Sequence, residues 1–174
     1  MPNQVFDLNP VDRVTTDAIG EKGQRVFYLQ ARQEDWLVTV ICEKEHVAAL
    51  AAAIDHVLLS LAGGDADAVV EPDPILEEGM DLEYPLEPVF RAGGVNLGLD
   101  RDNGLLVIIA YELLAEEDEA TPSEVRFWGT PAQMRAFSMH GQETVAAGRP
   151  ICTMCGEPMD PDGHFCPRKN GDRN

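Results

Sequence analysis

Lysine is nearly missing from this chain: Lys22, Lys44 and Lys169 are its only lysines, and 13 basic residues in all stand against 31 acidic ones. The formal net charge of −18 repels phosphate backbones, whose binding depends on clustered Lys and Arg. It suits an anionic membrane face no better. Neither nucleic acid nor membrane is therefore expected as a partner. No apolar run reaches the roughly 18 residues that cross a bilayer. The start, Met1-Pro2-Asn3-Gln4, has no basic stretch leading into an apolar one, so no secretion signal is expected and the chain reads as cytoplasmic. Gly-x-Ser-x-Gly, the phosphate-binding P-loop and the dinucleotide fingerprint are all missing. Cysteine is scarce too. Cys42 stands alone, and Cys152, Cys155 and Cys166 fall close together near the C-terminus. In a chain read as cytoplasmic, such clustering argues for metal rather than disulfides.

What is present suffices for a core, since 44% of the 174 residues are hydrophobic. Residues 24–32 and 36–42 are rich in aromatic and β-branched types and are separated by Gln33-Glu34-Asp35, which predicts a hairpin. From Glu43 the period changes. Val47, Leu50, Ile54, Val57, Leu58 and Leu61 recur every three or four residues, as on the buried face of a helix that ends at Gly63-Gly64. Residues 65–87 are acidic and carry prolines, which predicts a long, mostly irregular connection whose carboxylates match no calcium-loop spacing. Strand patterns return at 88–99 and 104–113, joined by a turn ending in Asn103-Gly104, and again at 124–129. Thr130-Pro131 then reads as an N-cap with proline at the first helical position, opening a helix that runs to about Gly148 and buries Met134, Phe137 and Val145. Strands joined by hairpins, with two helices, predict an α+β domain: an antiparallel sheet with both helices packed on one face. Arg149-Pro150 separates this domain, residues 1–149, from a zinc-knuckle-like tail, residues 150–174.

That tail carries the strongest local signal. Cys152-Thr153-Met154-Cys155-Gly156 brings two thiolates to one point at a tight reversal, and Asp160-Pro161-Asp162-Gly163 can fold His164 and Cys166 back onto them. Three sulfurs and one imidazole complete a tetrahedral zinc shell with no open position, which is the structural type. A redox Cys-x-x-Cys and an unmetallated tail are the competing readings. The first would sit between a strand and a helix. The second would not place four soft ligands in so short a span. With Ile151, Met154, Met159 and Phe165 as its only large apolar residues, the tail has almost no core of its own and needs a staple to order it. One structural Zn2+ per chain, on Cys152, Cys155, His164 and Cys166, is the cofactor expectation.

Other residues carry weaker signals. Cys42 ends a strand of buried types and reads as a small core residue rather than a nucleophile. His46 and His56 lie near one face of the first helix but too far apart to share a metal, and His140 is assigned no role. Gly93-Gly94 inside a strand marks a bulge or a close backbone approach, since no helix start follows it. Arg91, Arg126 and Arg135 lie within predicted elements. Arg126 alternates with Val125 and Phe127, and with Arg91 it could line a pocket for a phosphate- or carboxylate-bearing ligand; salt bridges to the many nearby acids are the plainer use of both.

Three stretches together resemble the bacterial family catalogued as domain of unknown function 3090. They are Asn9-Pro10-Val11-Asp12-Arg13 with Gly23-Gln24-Arg25-Val26-Phe27-Tyr28-Leu29-Gln30, then Val125-Arg126-Phe127-Trp128-Gly129-Thr130 with Gln133, Arg135, Ala136 and Phe137, and Ala147-Gly148-Arg149-Pro150 running into the Cys/His tail. The resemblance implies one compact domain plus that tail, and it implies no activity. The expected role is an interaction or adaptor protein with a protein partner and a zinc-stabilised docking surface; the alternative is a small-molecule-binding protein or enzyme using the Arg91/Arg126 region.

Overall fold

The computed structural model describes residues 3–21, 23–72, 74 and 79–147. Seven strands form one sheet: β1 (Val5–Leu8), β2 (Arg13–Ile19), β3 (Val26–Gln33), β4 (Trp36–Cys42), β5 (Pro88–Asp100), β6 (Leu105–Glu112) and β7 (Glu124–Gly129). Two helices accompany them, α1 (Lys44–Leu61) and α2 (Pro131–Ala147). The strand order is β1-β7-β6-β5-β4-β3-β2, and the fold is α+β.

The sheet is mixed, which corrects the expectation of an antiparallel one. The β2-β3-β4 and β5-β6-β7 runs are antiparallel, but β4 pairs with β5 in parallel and so does β1 with β7. Parallel neighbours need a crossover rather than a hairpin, and α1 with the segment after it supplies one between β4 and β5. The other parallel pair follows from how the sheet closes. β1 and β2 are adjacent in sequence yet occupy opposite edges. Laid flat, seven strands at a spacing of about 4.8 Å would set those edges about 29 Å apart. The chain from Leu8 to Arg13 reaches at most about 18 Å. The sheet therefore curls until its edges meet. Val11 N–H donates to the Trp128 carbonyl of β7 and Asp12 N–H to the Arg32 carbonyl of β3, both at 2.8 Å. Phe6 and Trp36 rings meet across the same seam with centroids 6.4 Å apart.

Local chemistry explains the helix ends. At α1 the Glu43 N–H donates to His46 Nδ1 (3.0 Å), and the C-terminus is closed by Gly63 and Gly64 at φ +68° and +84°, with Gly64 N–H bonded to the Leu59 carbonyl. At α2 Thr130 and Gln133 form a reciprocal capping box: Gln133 N–H to Thr130 Oγ1 (3.1 Å) and Thr130 N–H to Gln133 Oε1 (2.8 Å). The helices lie side by side, and Ser138 of α2 donates to the Ala51 carbonyl of α1. Val47, Leu50, Ile54 and Leu58 of α1 join Met134 and Phe137 of α2 and strand residues such as Leu29, Val40, Ile108 and Phe127 in one buried cluster. Val57 and Val145 pack on its margin. Leu61, expected on the buried face, is 49% exposed because the last turn of α1 runs past the core.

The expected bulge is present. The β5–β6 register shifts between Ala92 and Gly94, and a Cβ on Gly93 would lie 2.9 Å from Leu113 Cα. The acidic connection is less irregular than its composition suggests: it holds a 3-10 turn at Ala66–Ala68, and the stretch Gly79–Glu83 is fastened to the sheet.

Candidate functional site

Alternation along β2, β3 and β4 gives the sheet two chemically distinct faces. Thr16, Leu29 and Val40 are in register and lie on the face that meets the helices, and so are Val14, Ala31 and Val38. The other face carries Thr15, Gln30 and Thr39 in register, flanked by the facing pair Arg13 and Arg32. Thr15, Gln30 and Thr39 are at most 2% exposed. A polar row so deeply covered is costly unless each group is bonded.

Gly79–Glu83 satisfies it. Thr15 Oγ1 donates to the Met80 carbonyl (2.6 Å). The Gln30 amide behaves as a strand neighbour would: its Nε2 donates to the Glu83 carbonyl (3.0 Å) and its Oε1 accepts from Glu83 N–H (2.8 Å), while Nε2 also reaches Thr39 Oγ1 (3.0 Å). Arg13 donates to the Gly79 carbonyl (2.6 Å) and to the Asp81 carbonyl. Arg32 Nε sits 3.0 Å from both oxygens of the Glu83 carboxylate, and Arg13 Nη1 lies 3.4 Å from one. Burial lowers the Arg13 pKa, against the pull of Glu83 and Asp81. Met80 and Leu82 are the buried apolar anchors. Met80 also meets Ala136, Met139 and His140 of α2 around a cavity of about 160 Å3.

Beside it, His140 Nε2 lies 3.5 Å from Asp17 Oδ2 of β2 and has no partner in hydrogen-bonding geometry. Burial pushes the Asp17 carboxyl up, but the His140 imidazole, the Ala18 N–H (2.8 Å) and the more distant Arg25 outweigh it and hold the pKa below its ordinary value. A helical histidine shows no such partner in sequence, and this pair was not foreseeable from spacing.

Among the described residues, the arginines singled out in the sequence each pair with a different acid. Arg91 on β5 pairs with Glu43 at the start of α1 (3.0 Å), and Arg126 on β7 pairs with Glu124 (2.8 Å), whose hydrogen bond and charge raise its pKa. Arg126 does face away from buried Val125 and Phe127. Arg135 of α2 binds Asp55 of α1 (3.1 Å), a carboxylate shared with Ser138 (2.6 Å) and Gln142 (2.6 Å). Cys42 is buried at the end of β4, with its thiol pushed up to about 12 by burial and then by Glu43. The basic pair that does converge, Arg13 with Arg32, carries no mark in the sequence, because only the pairing of β2 with β3 brings the two residues together. Cys152, Cys155, His164 and Cys166 lie outside the described residues, as does the boundary at 149/150. Among the described residues no group of three or more His, Cys, Asp or Glu is arranged to hold a metal, and no helix is long and apolar enough to cross a membrane.

The architecture defines an α+β protein built on one curled, mixed sheet with a chain segment fastened across its polar face. The profile of the family described as protein of unknown function DUF3090 matches residues 6–166, and the chain belongs to that family. No curated protein and no solved structure matches it.

Proposed function

We propose that this is a cytoplasmic interaction or adaptor protein whose residues 150–174 are organised by one structural zinc ion on Cys152, Cys155, His164 and Cys166. The donor set carries the reading: three thiolates and an imidazole match zinc in softness and number and leave no ligand position for substrate. The family match runs to residue 166 and so takes in all four donors as part of the same unit. A bound zinc would close a segment that has too few apolar residues to order itself. Elemental analysis of freshly purified protein tests this, with about one zinc per chain expected and its loss in Cys152→Ser and in Cys166→Ser. Protein free of zinc, or both variants retaining it, overturns the assignment.

The second reading, an anionic ligand beside Arg91 and Arg126, has less support, since each guanidinium already has its own glutamate.

A further inference from the structure

The fastening of Gly79–Glu83 has the form of peptide recognition. Gln30 holds the backbone of residue 83 through both its N–H and its carbonyl, Thr15 and Arg13 take the carbonyls of residues 79 to 81, and none of these contacts depends on side-chain identity. Selection enters through the apolar anchors Met80 and Leu82 and through the carboxylate of Glu83, gripped by two arginines from adjacent strands. This division of labour, main-chain bonds for affinity and side-chain pockets for specificity, is that of proteins that bind extended peptides.

The composition of the face argues that its cover comes off. A sheet face covered permanently by its own chain is served as well by apolar residues, since replacing both partners of a buried hydrogen bond by apolar groups of the same shape can be nearly neutral. Here Thr15, Gln30 and Thr39 are buried, and their bonds run to the covering segment or to one another, apart from a longer contact of Thr15 Oγ1 to the Thr16 carbonyl (3.4 Å). Such a row is satisfied by water when uncovered and by a peptide when covered. The ion pairs leave Glu83 about one-third exposed, in the range where exchange for a competing carboxylate costs little. Two converging arginines are also a rare asset on a chain of net charge −18.

We propose that the face formed by Arg13, Thr15, Gln30 and Arg32 is a binding site for an extended acidic peptide of a partner protein, and that Gly79–Glu83 occupies it in cis until displaced. The proposal rests on the interaction-protein reading but not on the metal, so a negative zinc analysis leaves it standing. The probe is a fluorescein-labelled synthetic peptide with the sequence Gly79–Pro85, titrated by anisotropy into the full-length chain. Glu83→Ala, which weakens the internal occupant, is expected to bind it at least tenfold more tightly than wild type. Replacing the glutamate of the peptide by glutamine should weaken binding tenfold or more. No binding to a Glu83→Ala chain that still melts cooperatively overturns the proposal, and so does equal binding of the two peptides. Dimerisation of that variant in light scattering also overturns it, by making a second copy the occupant. Hydrogen exchange on the wild type gives a reading that needs no variant. The Glu83 amide should exchange at least a hundredfold faster than that of Leu29 in β3; equal protection would make the segment a fixed part of the core.

Discussion

Asp17 is where pH reaches the fold through a single side chain. Its folded pKa is depressed, so its ionised form stabilises the native state at any pH above the unfolded value of about 3.9, and that contribution disappears as pH falls through the lower folded value. Asp17→Asn should therefore cost about 1 kcal/mol near neutrality, the scale of one net hydrogen bond on a partly exposed group. The gap to wild type should close as pH drops below about 4. Urea denaturation of both proteins at several pH values measures this, and a gap that stays constant down to pH 2 contradicts it. Cys42 makes a second, simpler case. A thiol pushed up to about 12 is protonated at pH 8 and buried behind the α1 N-terminus. Iodoacetamide should leave the Cys42 peptide unmodified in the native protein and modify it fully in denaturant, as read by mass spectrometry; native labelling would mean that β4 opens at that end.

Elements in this fold owe their ends to a few short-range contacts, and two of these can be removed cleanly. Thr130→Ala deletes half of the α2 capping box and should lower stability by about 1 kcal/mol. Gly93→Ala should cost about 1–3 kcal/mol, because the new methyl meets backbone at Leu113 rather than a side chain that can turn away. Chemical denaturation checks both, and a neutral Gly93→Ala would mean that the bulge relaxes freely. The same contrast between local and distant contacts decides what can be read from the sequence. The β3–β4 hairpin, α1 with its glycine stop, β7 and the Thr130-Pro131 start of α2 rest on periodicity and capping within a few residues, and they stand where expected. β1 and β2 escape such reading. β1 is only Val5–Leu8 and pairs with β7 more than a hundred residues away, while β2 mixes Arg13, Thr15 and Asp17 with its apolar residues. Parallel pairing leaves no turn sequence to find, which is why hairpin signals alone suggest antiparallel order where the sheet is mixed. The Gly79–Glu83 site is hidden for a related reason: acidic neighbours mask the alternation of Met80 and Leu82, and the partners lie on strands far away in the chain.

On the scale of the whole chain, charge and core composition make separate predictions. A net charge of −18 predicts negligible binding to duplex DNA or RNA at physiological salt. Arg149, Arg168, Lys169 and Arg173 give the tail a local positive bias. An anisotropy titration at two salt concentrations decides between them; tight binding that weakens steeply with salt would make the tail a nucleic-acid module. The core leads to the second prediction. The buried cluster among the described residues runs from Leu8 to Phe137 and draws on every strand and both helices, and the curled sheet closes its own edges through Val11 and Asp12. A chain cut after Arg149 therefore keeps the whole of that cluster and both closing bonds. It should remain soluble and melt in a single cooperative transition, and chelating zinc from the full-length protein should leave the same transition in place while altering only the tail. Circular dichroism melts of the two proteins, with and without chelator, test this directly. A truncated chain that is insoluble or melts without cooperativity would show that residues 150–174 supply part of the core, and the division of the chain at 149 would have to be withdrawn.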